Sequence, residues 1–246
     1  MSTILITGCS RGLGLELVKQ YSAQAAKEGG LVIATARNLD QGLSEMVSQS
    51  NDTVKFVALD IADKANVADA AKEIQRALAG RPLDVLINSA GVYATTEGTI
   101  ARMDDLEFQL SVNVTGAHNV IRELLPLMQE SKVKKVASVS SAYASMVLAS
   151  NLTFASCPAY KISKAALNAL IVQFSLDYKD EDFIFFVLSP GWLQSEMGGK
   201  NADLTVPQGA EAVRSIVDSA DQKDNGCFKN IHVPGWDQYD GKDLPW

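Results

Sequence analysis

Seven short runs of apolar and β-branched residues recur along the chain, at 4–7, 31–36, 55–58, 85–88, 135–140, 183–189 and 231–233. They are nearly continuous in apolar character, which is the pattern of a strand buried on both faces. Between them lie stretches with helical spacing, among them Leu13, Leu17, Tyr21 and Ala25, then Val67, Ala71, Ile74 and Leu78. Alternating strand and helix predicts an α/β fold, a doubly wound, seven-stranded parallel sheet with helices on both faces. No repeat, linker or break in composition divides the 246 residues, so a single domain over 1–246 is expected.

Several function classes are disfavoured. Asp and Glu number 29 against 22 Lys and Arg, a formal charge of −7, and the one basic cluster is Lys132, Lys134 and Lys135. A nucleic-acid partner is therefore not expected. No run approaches the roughly 20 apolar residues of a membrane span, and Met1 leads directly into a strand-like segment, which predicts a cytoplasmic protein without a membrane partner. Three cysteines (Cys9, Cys157, Cys227) without a CxxC pair and two isolated histidines (His118, His232) offer neither a disulfide scaffold nor a His-rich metal site.

The first strand runs into Thr7-Gly8-Cys9-Ser10-Arg11-Gly12-Leu13-Gly14 and then a helix. Glycines let the backbone turn tightly against a diphosphate, and the helix N-terminus presents unpaired N–H groups to it, as in a Rossmann fold. Alone, the loop reads equally as an ordinary glycine-rich turn. Dinucleotide folds carry an acid about 20 residues on, where it binds the ribose 2′-OH; here Ala36-Arg37 stands instead. A guanidinium pairs with a 2′-phosphate that a carboxylate would repel, and Arg11 is near enough in sequence to assist. NADP(H) is the expected cofactor, the competing view being that both arginines are solvated surface residues.

Tyr160 and Lys164 are spaced to share one helix face. A phenol titrates near 10, so proton exchange near neutrality calls for a neighbouring cation. In isolation the pair reads as an exposed i,i+4 contact, and it gains meaning only beside the other motifs. His118 and His232 lack acid partners and read as packing or surface residues, and Cys157 as part of a wall.

With these motifs in order, the chain resembles the classical short-chain dehydrogenase/reductase family over essentially its whole length. The family's glycine loop matches 7–14, its adenine-side acid Asp60 followed by Ile61, and its Asn-x-Ala-Gly turn Asn88-Ser89-Ala90-Gly91. Its helix asparagine matches Asn113, its serine Ser141 (with Ser140 the rival), its Tyr and Lys Tyr160 and Lys164, and its Pro-Gly turn Pro190-Gly191. Ser89 replaces the commoner Asn, and Ser195-Glu196-Met197 stands where many relatives have Thr-Asp-Met. Trp192, the 197–199 run and the ending 239–246 look like the branch of C-factor-like and sniffer-like carbonyl reductases and fungal ketoreductases.

The resemblance implies an enzyme in which NADPH delivers hydride to a carbonyl carbon while Tyr160 protonates the oxygen and Ser141 hydrogen-bonds it. Lys164 would stabilise the tyrosinate and bind the nicotinamide ribose, Asn113 would hold a water linking the lysine to solvent, and Leu193 and Ser195 would contact the nicotinamide. An NADP-binding regulator without turnover, or a non-redox cyclase or dehydratase, remains the alternative. Eighteen residues separate Ser141 from Tyr160, without a charge in 142–158, and include Tyr143, Phe154 and Cys157. With Trp192 and Met197 they predict an apolar, half-open pocket for an uncharged ketone, aldehyde or quinone-like substrate. Relatives pair the helices in 106–128 and 158–178 across a two-fold axis, so a homodimer is compatible.

Overall fold

The computed structural model describes residues 2–246. Its strands β1 (Thr3–Thr7), β2 (Leu31–Ala36), β3 (Val54–Ala58), β4 (Val85–Asn88), β5 (Lys135–Val139), β6 (Ile184–Ser189) and β7 (Phe228–Asn230) form one parallel sheet in the order β3-β2-β1-β4-β5-β6-β7. Successive residues of β1 serve opposite faces, Ile4 and Ile6 in one core and Leu5 in the other, which is why the runs are apolar throughout. Each such side chain contributes on the order of 1.5–3 kcal/mol by leaving water.

On the first face pack α1 (Gly12–Glu28) and α7 (Val206–Ser219). On the second pack α3 (Lys64–Leu78), α5 (Ala117–Met128) and α6 (Pro158–Asp177), while α2 (Gln41–Gln49) adds Leu43 to the first face and α4 (Leu106–Leu110) packs against α6. The α3 stripe is rotated slightly from expectation: Ala70 is buried, and Ala71 only partly. No helix among the described residues is long and apolar enough to cross a membrane.

The seventh strand is a correction. It occupies Phe228–Asn230, three residues before the expected 231–233, pairing with β6 through Phe228 and Val187. Ile231 and Val233 are buried, but their backbones serve the returning terminal segment: Gly241 N–H donates to Ile231 (3.1 Å) and Val233 N–H to Tyr239 (2.9 Å). His232 is bridged to Asp240 and belongs to no strand of the sheet. The run is extended and apolar, as expected, and only its ladder partner differs. Elsewhere the ends shift by one residue, β5 stopping at Val139 and β6 starting at Ile184.

Strand order reverses between β1 and β4, and the crevice beyond their carboxyl ends is where doubly wound sheets bind ligands. The glycine loop leaves β1 and the Asn88–Gly91 turn leaves β4 at this crevice, while Ser141 lies just past β5.

Candidate active site

The two turns at the crevice are bound to each other. The Thr7 hydroxyl accepts from the N–H groups of Ser89 (3.1 Å) and Ala90 (3.0 Å). Gly8 adopts φ +75°, and a Cβ there would lie 2.7 Å from the Ala90 Cα; a Cβ on Gly14 would meet the Gly8 carbonyl at 2.3 Å. Only glycine allows this approach. Arg11, the N-cap of α1, supplies no side-chain acceptor, and the first turn carries no acid, so the helix terminus retains donors and partial positive charge for an anion. The cradle fits a dinucleotide diphosphate. Ser10 is exposed on this loop, and Leu13 packs partly against the core.

Arg37 follows β2, exposed and without an ion pair among the described residues. Arg11 is paired instead with Glu196 (2.7 Å), both about 70% exposed, a contact worth roughly 0–1 kcal/mol and readily exchanged for a phosphate. Asp60, two residues past the end of β3, accepts from the Ala62 N–H (3.0 Å), and Ile61 is buried beside Gly116. Asn88 is buried and donates weakly to Ser138 (3.4 Å).

On α6, Tyr160 and Lys164 lie one turn apart and both are buried. Lys164 Nζ donates to the Val139 carbonyl (2.8 Å) and stands 5.7 Å from the centre of the Tyr160 ring. Burial holds the lysine pKa down at about 8. The Tyr160 phenol is pushed well above its ordinary value by burial, opposed by the nearby Ser141 hydroxyl. Of the two adjacent serines, Ser140 Oγ donates to Asn168 Oδ1 on α6 (2.5 Å), while Ser141 Oγ accepts from the Tyr143 N–H (3.2 Å). At Gly91 the motifs converge, since a Cβ there would lie 3.0 Å from Asn113 Oδ1 and 3.4 Å from Lys164 Nζ. Asn113 grips the neighbouring Val92, accepting from its N–H (2.8 Å) and donating to its carbonyl (3.0 Å), and also donates to Ser163 (2.9 Å).

The expected wall residues are divided in exposure. Tyr143 meets Phe154 edge-on with centroids 6.0 Å apart, and Phe154 is 71% exposed. Cys157 is buried, its thiol pushed up by burial and directed at the Ala155 carbonyl (3.8 Å). Trp192 and Met197 are exposed on the loop after β6. That loop starts with Pro190 and Gly191, the latter at φ +78° against Ile231, Leu204 and Tyr239. Leu193 gives its side chain to the core and its carbonyl to the Ser195 N–H (2.8 Å); Ser195 Oγ accepts from Gly198 (3.2 Å), and its Cβ lies 3.9 Å from where a Gly12 Cβ would sit.

The sequence profile described as short chain dehydrogenase matches residues 2–204. The chain belongs to the short-chain dehydrogenase family. The C-signal protein of Myxococcus xanthus is 32% identical over 170 residues, covering 67% of this dehydrogenase and 93% of that protein. Among solved structures, the NADPH-bound carbonyl reductase from chicken fatty liver superposes with TM-score 0.88 at 25% identity, covering 100% of this chain and 99% of the other. Carbonyl reductase Sniffer of D. melanogaster gives 0.86 at 28% identity with full coverage of both chains.

Two features of the dehydrogenase's site were missed in the sequence. Tyr93 stands edge-on to Tyr160, centroids 5.0 Å apart; its place two residues beyond the Asn88–Gly91 turn, outside a strand end, was the available signal. The second is a π-helical turn, Ser111–Gly116, between α4 and α5, which contains Asn113. A single-turn π-bulge is too short to be recognised from spacing alone.

Proposed function

We propose that this dehydrogenase is an NADPH-dependent carbonyl reductase acting on the ketone, aldehyde or quinone-like group of an uncharged small or medium-sized molecule. The observation that carries the reading is the pairing on α6 of a buried Tyr160 with a buried Lys164 one turn later, its ammonium 5.7 Å from the centre of the phenol ring. A phenol that holds its proton through the neutral range is a donor, as reduction requires.

When bound, NADPH supplies hydride to the carbonyl carbon. Tyr160 gives its proton to the oxygen as negative charge develops there, and Ser141 hydrogen-bonds the same oxygen. Lys164, mostly protonated at neutrality with its pKa near 8, stabilises the tyrosinate left behind. By family resemblance Asn113 holds the water through which that tyrosinate recovers a proton from solvent. Preference for NADPH is supported by Arg37, unpaired among the described residues, by Arg11 in a weak exposed pair, and by Ala36 where an acid would discriminate against the 2′-phosphate. The mixture of exposed Phe154, Trp192 and Met197 with uncharged 142–158 supports an apolar, half-open pocket.

The test is loss of NADPH absorbance with a panel of uncharged, carboxylated and phosphorylated carbonyl compounds, repeated with NADH. Turnover of the uncharged compounds with a higher kcat/KM for NADPH is expected, and Ala36→Asp with Arg37→Ser should reverse the cofactor order. Equal kcat/KM for both cofactors in the wild type refutes the 2′-phosphate reading, and NADPH binding without turnover of any compound favours a regulator.

A further inference from the structure

The terminal segment 239–246 belongs to a motif that neither the glycine loop nor the Tyr160 cluster uses, yet it reaches both walls of the proposed pocket. After β7 the chain turns at 233–239 and comes back antiparallel: Asn230 N–H donates to Lys242 (3.0 Å), Leu244 N–H to Phe228 (2.7 Å), and Lys229 pairs with Asp243 (2.7 Å) and Asp224 (2.9 Å). A hairpin tied this way to the parallel sheet is a rigid support.

Its first attachment is Tyr239, which is buried. The hydroxyl donates to Asp203 Oδ2 (2.6 Å) and accepts from the Trp192 N–H (3.0 Å). Trp192 and Asp203 are the two ends of the excursion that carries Ser195 and Met197. A backbone bridge between Leu193 and Leu204 closes its base, and one phenol ties Trp192, just outside that bridge, to Asp203, just inside it. The ring also lies against Gly191, where a Cβ would come within 3.3 Å of it, so the Pro190-Gly191 turn is shaped to accept it. The second attachment is Trp246. Its ring stacks on Phe228 (5.5 Å, 29°), and its carbonyl accepts from the Val147 N–H (3.2 Å) and from Ser145 Oγ (3.4 Å) on the 142–154 wall.

We propose that the terminal hairpin is a two-point brace that sets substrate affinity, Tyr239 fixing the 192–203 wall and Trp246 the 142–154 wall. Both are positioning residues: they touch the walls rather than the reacting atoms, and the substrate half of the proposal rests on the carbonyl reductase reading given above. Tyr160 and Lys164 stand on α6 and Ser141 just past β5, outside the braced segments, so the chemical step is left intact while binding weakens.

The test is hydrogen exchange by mass spectrometry on the full chain, together with steady-state kinetics. Tyr239→Phe keeps the ring against Gly191 and removes both hydroxyl bonds; amide exchange in 192–204 should rise about tenfold while 142–154 and the sheet stay at wild-type rates. Trp246→Ala should give the complementary pattern, with faster exchange in 145–148 alone. Asp203→Asn keeps an acceptor for the phenol and should exchange within about twofold of wild type, whereas Asp203→Ala should reproduce Tyr239→Phe. In turnover, Tyr239→Phe should raise the KM for the carbonyl compound about tenfold with kcat within about twofold. Unchanged exchange in 192–204, or faster exchange spread evenly over the sheet, overturns the brace, and a fall in kcat at constant KM overturns its link to affinity. Should the wild type reduce no compound, the functional reading fails while the exchange arms still judge the brace.

Discussion

Replacing Lys164 by Met should stabilise the protein at pH 7 while destroying its activity. The ammonium is buried, and its pKa is held down from 10.5 to about 8 by desolvation. At about 1.36 kcal/mol per unit, that places roughly 3 kcal/mol of cost on carrying the charge in the folded state. Against it stands the 2.8 Å bond to the Val139 carbonyl, worth about 1.5–3 kcal/mol for a charged donor, so the net gain at pH 7 is about 1 kcal/mol or less. The pH dependence is the sharper quantity. Below pH 8 both the folded and unfolded lysine carry the proton, and the cost is present in full. Between pH 8 and 10.5 the unfolded chain holds more protons at this position than the folded one, so wild-type stability climbs relative to the variant by roughly 3 kcal/mol over that window. At the upper end the wild type, still able to bond Val139, should be the more stable of the two. Urea unfolding of both proteins at a series of pH values reads this difference directly. A stability difference that stays constant from pH 7 to 10.5 would show that Lys164 is solvated in the folded state, and the electrostatic account of the Tyr160–Lys164 pair would fail with it.

Other consequences follow from the geometry of the turns and walls. Gly8→Ala should lower Tm by roughly 5–15 °C, because φ +75° and a Cβ 2.7 Å from the Ala90 Cα combine strain with a backbone clash, whereas Gly80→Ala, at φ +84° with open space, should lose about 1 kcal/mol only; equal losses in thermal melts would remove the close-approach argument. Deleting part of 146–154, where Met146, Val147 and Phe154 are all exposed, should change the substrate profile without altering NADPH affinity measured by fluorescence. An unchanged profile with an altered oligomer mass would mean that the segment packs on a second subunit instead.

The sheet was legible because its strands are buried on both faces: Ile4, Leu5 and Ile6 must all be apolar when cores lie above and below, and that pattern has few alternative explanations. The glycine loop and the Tyr160–Lys164 pair were legible because local geometry dictates them, a left-handed φ at Gly8 and a four-residue helical spacing. What stayed hidden is non-local. Ile231 and Val233 have the burial and extended backbone of a strand, and whether they pair with β6 or with 239–241 depends on where the chain goes next. Ser140 is engaged by Asn168, a residue on another element that its own neighbours in sequence do not reveal. Tyr93 reaches Tyr160, and Tyr239 reaches Trp192, only after β4 and β7 are laid down beside their neighbours.

The central claim is that Tyr160 is the proton donor of a carbonyl reduction, and Tyr160→Phe tests it most directly. The ring and its edge-on contact with Tyr93 survive in the variant, and only the hydroxyl is lost. Measured side by side with the wild type, the variant should bind NADPH with nearly unchanged affinity in a fluorescence titration and consume none of it in the presence of a carbonyl compound that the wild type reduces. A Tyr160→Phe enzyme that keeps most of the wild-type rate would mean that another group delivers the proton, or that the site performs a different reaction.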